Sequence, residues 1–341
     1  MLFFVNDYCE GAHESILSRL TRENTCKRPG YGSDEVCASA KEKIRRACES
    51  PDAQIYFAVG GTQTNQLVLD TMLQPYEGVV AVQTGHIALH EAGAIEYTGH
   101  KVLTLPAHEG KMISSELESL VRDFYEDENH EHMVFPGMVY LSHPTEYGTL
   151  YTKEELSSIR EVCDRYGLRL FVDGARLAYG LGAEGTDLFL PDLARLCDAF
   201  SIGGTKCGAL FGEAVVFGKG PAPSRFLTRI KQHGALLAKG WLLGIQFDEL
   251  FSDDLYVRLG LHADRLADKL RACLVQKGYR LLLTSPTNQV LVVLQNQQME
   301  QLASKVRFSF WEKTGPDETA IRFCTSWATT EEDLDRLLEI L

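Results

Sequence analysis

The chemistry in this sequence centres on a lysine placed just after a buried strand. In Ser201-Ile202-Gly203-Gly204-Thr205-Lys206, the Lys206 amine follows a β-rich run. Sheltered there from water, an amine can give up its proton and attack a carbonyl to form an imine. Alone this signal is weak, because most lysines are surface cations. Two earlier turns change its weight. Phe171-Val172 runs into Asp173-Gly174-Ala175-Arg176, and a carboxylate at the end of a buried strand needs a partner to offset its desolvation. A protonated ring nitrogen would serve, and so would an ion pair with Arg176. Gly60-Gly61-Thr62-Gln63-Thr64-Asn65 leads into a helix, where free backbone N–H groups and the positive dipole end suit a phosphate. The same turn also reads as an ordinary strand–helix junction with Thr62 as N-cap. It is neither G-x-G-x-x-G nor a Walker loop, so dinucleotide and nucleoside triphosphate readings lack support.

Such turns become a site when they lie at the carboxyl ends of parallel strands, and the surrounding pattern predicts that arrangement. Strand-like runs fall at Ile55–Val59, Val79–Gln83, Lys101–Leu105, Met138–Ser142, Arg169–Val172, Ala199–Ile202 and Ala214–Phe217. Helical patterns lie between them, as at Thr62–Leu73, Ser114–Glu126 and Lys153–Tyr166. This alternation predicts an α/β fold with a mostly parallel sheet sandwiched by helices. From about Ala235 a long helical stretch, interrupted at Ser252-Asp253, runs to Gln276. Strands at Arg280–Leu283 and Val290–Leu294, a helix near Met299, a strand at Ile321–Cys324 and a helix at Glu331–Ile340 follow without that alternation. The expected organisation is an N-terminal arm (1–30), a large α/β domain (31–235) and a smaller α+β domain (236–341). The acidic stretch Tyr125–His132 reads as a solvated loop.

Of 341 residues, 45% are hydrophobic and 24% charged, as in ordinary globular proteins, and the formal net charge is −13. That charge argues against nucleic acid or an anionic membrane as a general partner, but not against one phosphate held by backbone amides. Nine scattered cysteines without a C-x-x-C pair suggest free thiols in a reducing compartment. The start lacks a basic region and a signal-length apolar run, and no apolar run approaches the ~20 residues of a membrane span. The expectation is a cytoplasmic protein.

A phosphate turn, a strand-end aspartate and a strand-end lysine in that order match the needs of pyridoxal 5'-phosphate, which takes an imine-forming lysine and an acid at its pyridine nitrogen. With Asn6-Asp7, Tyr31-Gly32-Ser33-Asp34, His86 in Gly-His-Ile, Glu91-Ala92-Gly93-Ala94 and Arg322, the chain resembles the threonine aldolase/β-eliminating lyase family of fold-type I pyridoxal-phosphate enzymes. The resemblance spans nearly the whole chain. It implies that Lys206 holds the cofactor as a Schiff base, Asp173 pairs with the pyridine nitrogen, Gly61 and Thr62 hold the phosphate, and His86 stacks on the ring. Arg176 and Arg322, helped by Asn6, would bind the carboxylate of a small amino-acid substrate, and Tyr31 would come from a neighbouring subunit of a homodimer or homotetramer.

One turn departs from the family. Where relatives commonly carry a histidine after the Met138–Ser142 strand, this chain reads His143-Pro144-Thr145-Glu146. The aligned position falls at Glu146, with His143 displaced to the start of the turn. His86, His90 and Glu91 could also be read as a metal pair on one helix face, but the His-Glu-x-x-His order and a third ligand are absent, so no metal is expected. Arg229 and Lys231 read as exposed helix charges or as contacts to a neighbour's phosphate. The resemblance implies cleavage of a β-hydroxy-α-amino acid of the threonine or allo-threonine type to glycine and an aldehyde. β-Elimination, amino-group transfer, or cofactor binding without turnover are the alternatives.

Overall fold

A computed structural model describes residues 1–341. β1 (Leu2–Phe3) is a short N-terminal strand, and the next seven build the central sheet: β2 (Gln54–Ala58), β3 (Glu77–Val82), β4 (Val102–Leu105), β5 (Phe135–Ser142), β6 (Arg169–Asp173), β7 (Ala199–Gly203) and β8 (Glu213–Phe217). Their order is β2-β8-β7-β6-β5-β3-β4. All neighbours pair parallel except β8, which runs antiparallel to both β2 and β7. Phe171 and Val172 are buried along with Val79, Val80 and Val139, as strands covered on both faces require. Helices Gly61–Met72, Ser114–Glu126 and Lys153–Tyr166 fall where the pattern placed them, to within a residue or two. The last is fixed at both ends. Thr152 and Glu155 form a reciprocal capping box, and Gly167 closes the helix at φ 70.

The register aligns the strand ends that carry the chemistry. Ser142 stands opposite Asp173, and Gly203 and Ala58 flank Glu213 from either side. The Gly60 turn, the Asp173 turn and Lys206 therefore open on one edge of the sheet. A second, antiparallel sheet follows, in the order β12-β13-β10-β9, from β9 (Arg280–Leu281), β10 (Gln289–Gln295), β12 (Ser309–Lys313) and β13 (Glu318–Cys324). Its apolar face packs Val292, Ile321 and Phe323 against Leu266 and Leu270 of helix Leu255–Gln276 and Leu334 of helix Glu331–Ile340.

Several expectations shift. The long helical stretch begins at Trp241, not Ala235, and divides into Trp241–Leu250 and Leu255–Gln276. Asp253 and Asp254, at φ 50 and 55, break it where the sequence suggested. Residues 1–30, which show no core pattern, are nonetheless packed. β1 pairs with β11 (Val306–Arg307), Phe4 and Ile16 are buried, and helix Glu14–Glu23 lies against Trp241–Leu250. The acidic stretch is the end of helix Ser114–Glu126 followed by a short 3-10 turn at His130–His132. β12 was not anticipated. No helix is long and apolar enough to cross a membrane.

Candidate active site

Lys206 lies in the loop from β7 to β8 and lines two adjoining hollows. One, with Gly61, Ser142, Asp173 and Ala175, lies over the strand ends. The other is a cleft of about 430 Å³ that continues outward past His90, Tyr147, Trp311 and Arg322. Burial lowers the amine's pKa and Arg176 adds to it, against the opposing charges of Asp7, Asp173 and Glu213. This favours the neutral, nucleophilic amine. Glu213, 3% exposed, accepts from Thr205 Oγ1 at 2.9 Å, and burial pushes it up to about 8.

Asp173 makes no ion pair with Arg176. Oδ2 accepts from Asn65 Nδ2 at 2.9 Å and Tyr140 Oη at 2.7 Å, and Oδ1 accepts from the Ala175 N–H at 2.9 Å. These donors are all neutral. Arg176 turns instead to Asp7, donating from Nε at 2.7 Å and Nη2 at 3.0 Å, while Asn288 Nδ2 donates to the same carboxylate at 3.0 Å. Burial alone would raise Asp7, but Arg176, Lys206 and these hydrogen bonds outweigh it and hold the group at about 2. Asp173 is thus a buried carboxylate, oriented by neutral donors and lacking a cation, at the floor of a hollow beside an imine-capable lysine. Gly61 opens the 12-residue helix Gly61–Met72, which has no side-chain cap, and a Cβ at Gly60 or Gly61 would meet nothing within 4 Å. A protonated pyridine nitrogen and a phosphate are what these two features lack, so the residues fit pyridoxal phosphate.

Asn65 links Asp173 to a second chain of contacts. Its Nδ2 also donates to Glu91 Oε1 at 2.7 Å, and His86 Nδ1 lies 2.8 Å from that same oxygen. A carboxylate can only accept, so Nδ1 carries a proton and the ring's Nε2 side is left to face the site. His86 heads a single helical turn, His86–Leu89, and the two histidine rings stand 5.7 Å apart. His90 therefore lines the cleft by position and not through a longer helix face.

Glu146 and His143 separate clearly. Glu146 lines both hollows; its Oε1 accepts from Ser142 Oγ at 2.6 Å and the His86 N–H at 2.8 Å, and its Oε2 is buried without a partner. Burial raises its pKa, and the Ser142 hydrogen bond works against the rise. His143 lines neither hollow. It is 1% exposed, its Nδ1 accepts from the Tyr151 N–H at 3.4 Å, and burial pushes it down to about 4.

Arg322 reaches the cleft from β13, donating to Gln289 Oε1 at 2.8 Å and the Val5 carbonyl at 3.2 Å, with its guanidinium 5.4 Å from the Trp311 ring centre. The site does not gather every expected residue. Asn6 Oδ1 accepts from the Tyr8 N–H at 3.0 Å in a local turn, and its neighbour Asp7 engages Arg176 instead. Thr62 follows Gly61 in the first turn of its helix but is not among the residues lining either hollow. Tyr31 lies in a separate groove, 50% exposed, with Lys231 Nζ 4.6 Å from its ring centre. Arg229 bonds to Asp70. The sequence reading passed over Asp7, Asn65, Tyr140, Glu213, Trp311 and Glu312. Asn65 and Asp7 stood inside quoted motifs; the others carry no local signal.

With this geometry in place, the class is defined by a fold shared with fold-type I pyridoxal-phosphate enzymes. A histidinol-phosphate aminotransferase from Clostridium acetobutylicum superposes with a TM-score of 0.74 at 14% identity, over 100% of this chain and 98% of that one. The family follows from closer matches. Residues 25–307 match the β-eliminating lyase family model. A low specificity L-threonine aldolase of Pseudomonas aeruginosa is 30% identical over 99% of this chain and 95% of its own length. A structure of Leishmania major threonine aldolase superposes with a TM-score of 0.96 at 44% identity, covering 100% of this chain and 98% of that one. The chain belongs to the β-eliminating lyase family.

Proposed function

We propose that the protein is a pyridoxal-phosphate-dependent aldehyde-lyase that cleaves a β-hydroxy-α-amino acid of the threonine or allo-threonine type to glycine and an aldehyde. The observation that carries this reading is the meeting of Lys206, a cation-free Asp173 and the unpaired Glu146 Oε2 at one strand-end hollow. Its relatives named threonine aldolases support the substrate class. When bound, pyridoxal phosphate supplies a sink for the electron pair released at Cα. The chain's own groups do the rest. Lys206 holds the cofactor, Asp173 keeps its ring nitrogen protonated, and the amides at Gly61 and Thr62 receive the phosphate. His86, held by Glu91, presents its ring to the site. Arg322 binds the substrate carboxylate. Arg176 contributes from Nη1, its Nε and Nη2 being engaged by Asp7. Glu146 Oε2 takes the proton of the β-hydroxyl as the Cα–Cβ bond breaks, and its raised pKa makes it a stronger base than an ordinary carboxylate.

We assign Tyr31 to the site of a second copy in a homodimer or homotetramer, because it is exposed and remote from its own cleft. Asn6 acts by shaping the turn that delivers Asp7 to Arg176. The test is an assay of purified holoenzyme with threonine and allo-threonine, measuring glycine and acetaldehyde against ammonia and keto acid. Equal amounts of glycine and acetaldehyde, lost in Lys206→Ala, are expected. Ammonia with keto acid in their place would indicate β-elimination, and keto acid without free ammonia would indicate amino-group transfer.

A further inference from the structure

The outer wall of the cleft is aromatic and acidic, with Tyr147, Trp311 and Glu312 in its lining. β12 is the edge strand of the second sheet, and its register against β13 slips between Phe310 and Glu312. Regular alternation would send Trp311 and Glu312 to opposite faces; the irregularity lets both line the cleft. Tyr147 meets Trp311 edge to face at 5.3 Å, so the two aromatic side chains and the carboxylate form one wall. That wall already takes a cation, the Arg322 guanidinium over Trp311.

Glu312 has no salt-bridge partner. The neighbouring Lys313 turns away to Asn296 Oδ1 at 3.1 Å and Thr319 Oγ1 at 2.8 Å. A second acid faces the same space, since Glu146 is 8% exposed and its Oε2 has no hydrogen-bond partner. Arg176 and Lys206 lie where the two hollows join and Arg322 stands against Trp311, while the Glu312 carboxylate beside Tyr147 and Trp311 has no ion-pair partner. Aromatic rings attract a cation electrostatically, and a nearby carboxylate adds to the attraction when water is partly excluded.

Resting on the aldolase reading, we infer that the site selects β-hydroxy-α-amino acids whose side chain ends in an ammonium or quaternary ammonium group, held by Glu312, Tyr147 and Trp311. The reaction is unchanged in balance. The Cα–Cβ bond breaks, the β-hydroxyl loses its proton, Cα gains one, and the products are glycine and an aldehyde bearing the cation.

The test compares kcat/KM of the holoenzyme for two β-hydroxy-α-amino acids of equal length, one ending in trimethylammonium and the other in its neutral tert-butyl isostere. Threonine is assayed in parallel. A preference for the cation of roughly tenfold or more is expected. It should fall to about one in Glu312→Gln, persist in Glu312→Asp, and weaken with added salt. Because the readout is a ratio within each variant, a general loss of activity does not affect it. No preference for the cation, or a preference unchanged in Glu312→Gln, overturns the inference. If threonine too is left intact, the aldolase reading fails instead, and equilibrium binding of the two isosteres, followed by tryptophan fluorescence, still decides the side-chain preference.

Discussion

The Glu146 carboxylate, and not His143, lines the hollow after the β5 strand, and its surroundings explain how it can serve. Ser142 and the His86 N–H anchor one oxygen and leave the other bare in a buried setting. Glu146→Gln keeps the shape and removes the base. Threonine cleavage should fall by about 10²–10⁴-fold in kcat with little change in KM. The base works ionised and burial raises its pKa, so the acid limb of kcat should lie above the ordinary carboxylate range and vanish in the variant. A full pH profile retained by Glu146→Gln would assign the proton to another group. At this scale the residues proposed to hold the cofactor could be picked out because their motifs are local, each turn carrying its own glycines, acid or lysine. Asp7 was not, since its partner Arg176 is 169 positions away and nothing in either motif announces the pair. The choice between Glu146 and His143 likewise needed coordinates, because four residues of one turn send their side chains in different directions.

Among the elements, the contact between helices Leu177–Gly182 and Leu255–Gln276 holds the Asp173–Arg176 turn in place. It depends on backbone approach. A Cβ at Gly260 would stand 2.0 Å from the Ala178 carbonyl oxygen, and one at Gly182 would stand 2.5 Å from the Leu261 nitrogen. Gly260→Ala should therefore destabilise the protein by roughly 1–3 kcal/mol despite the better helix propensity of alanine. The loss should appear as a lower denaturant midpoint, and since the turn moves with the helix, cofactor affinity should fall as well. A midpoint equal to wild type would show that the helices separate at no cost. Long, strongly patterned elements were read from sequence to within a residue or two, as at Ser114–Glu126, Lys153–Tyr166 and Glu331–Ile340. β12 was not, because five residues with an irregular register show no alternation, and that strand carries the side-chain wall of the cleft.

For the whole molecule, buried ionisable groups set the pH range of stability. His143 is neutral in the fold, its pKa pushed down to about 4, whereas the unfolded chain takes up that proton near the ordinary value of about 6.5. Its contribution is thus intact above about pH 6.5 and declines by about 1.4 kcal/mol per unit as pH falls toward 4. Asp7, held at about 2, adds a further loss below about pH 4. Glu213, raised to about 8, acts in the opposite sense, its contribution declining as pH rises from about 4.5 to 8. The His143 effect is therefore read as a difference: as pH falls from 6.5 to 4, the midpoint of wild type should fall relative to that of His143→Asn. The α/β class and the position of the site at strand ends were legible at this scale from alternation alone. The packing of residues 1–30 was not, for β1 finds its partner some 300 positions along, at Val306 and Arg307. The central claim, that Lys206 holds pyridoxal phosphate for the lyase reaction, is tested most directly by reducing the holoenzyme with borohydride and mapping the labelled peptide by mass spectrometry. A phosphopyridoxyl group on Lys206, with loss of glycine formation in step with labelling, is the predicted result; a label on another lysine, or none in an enzyme that still forms glycine, would contradict it.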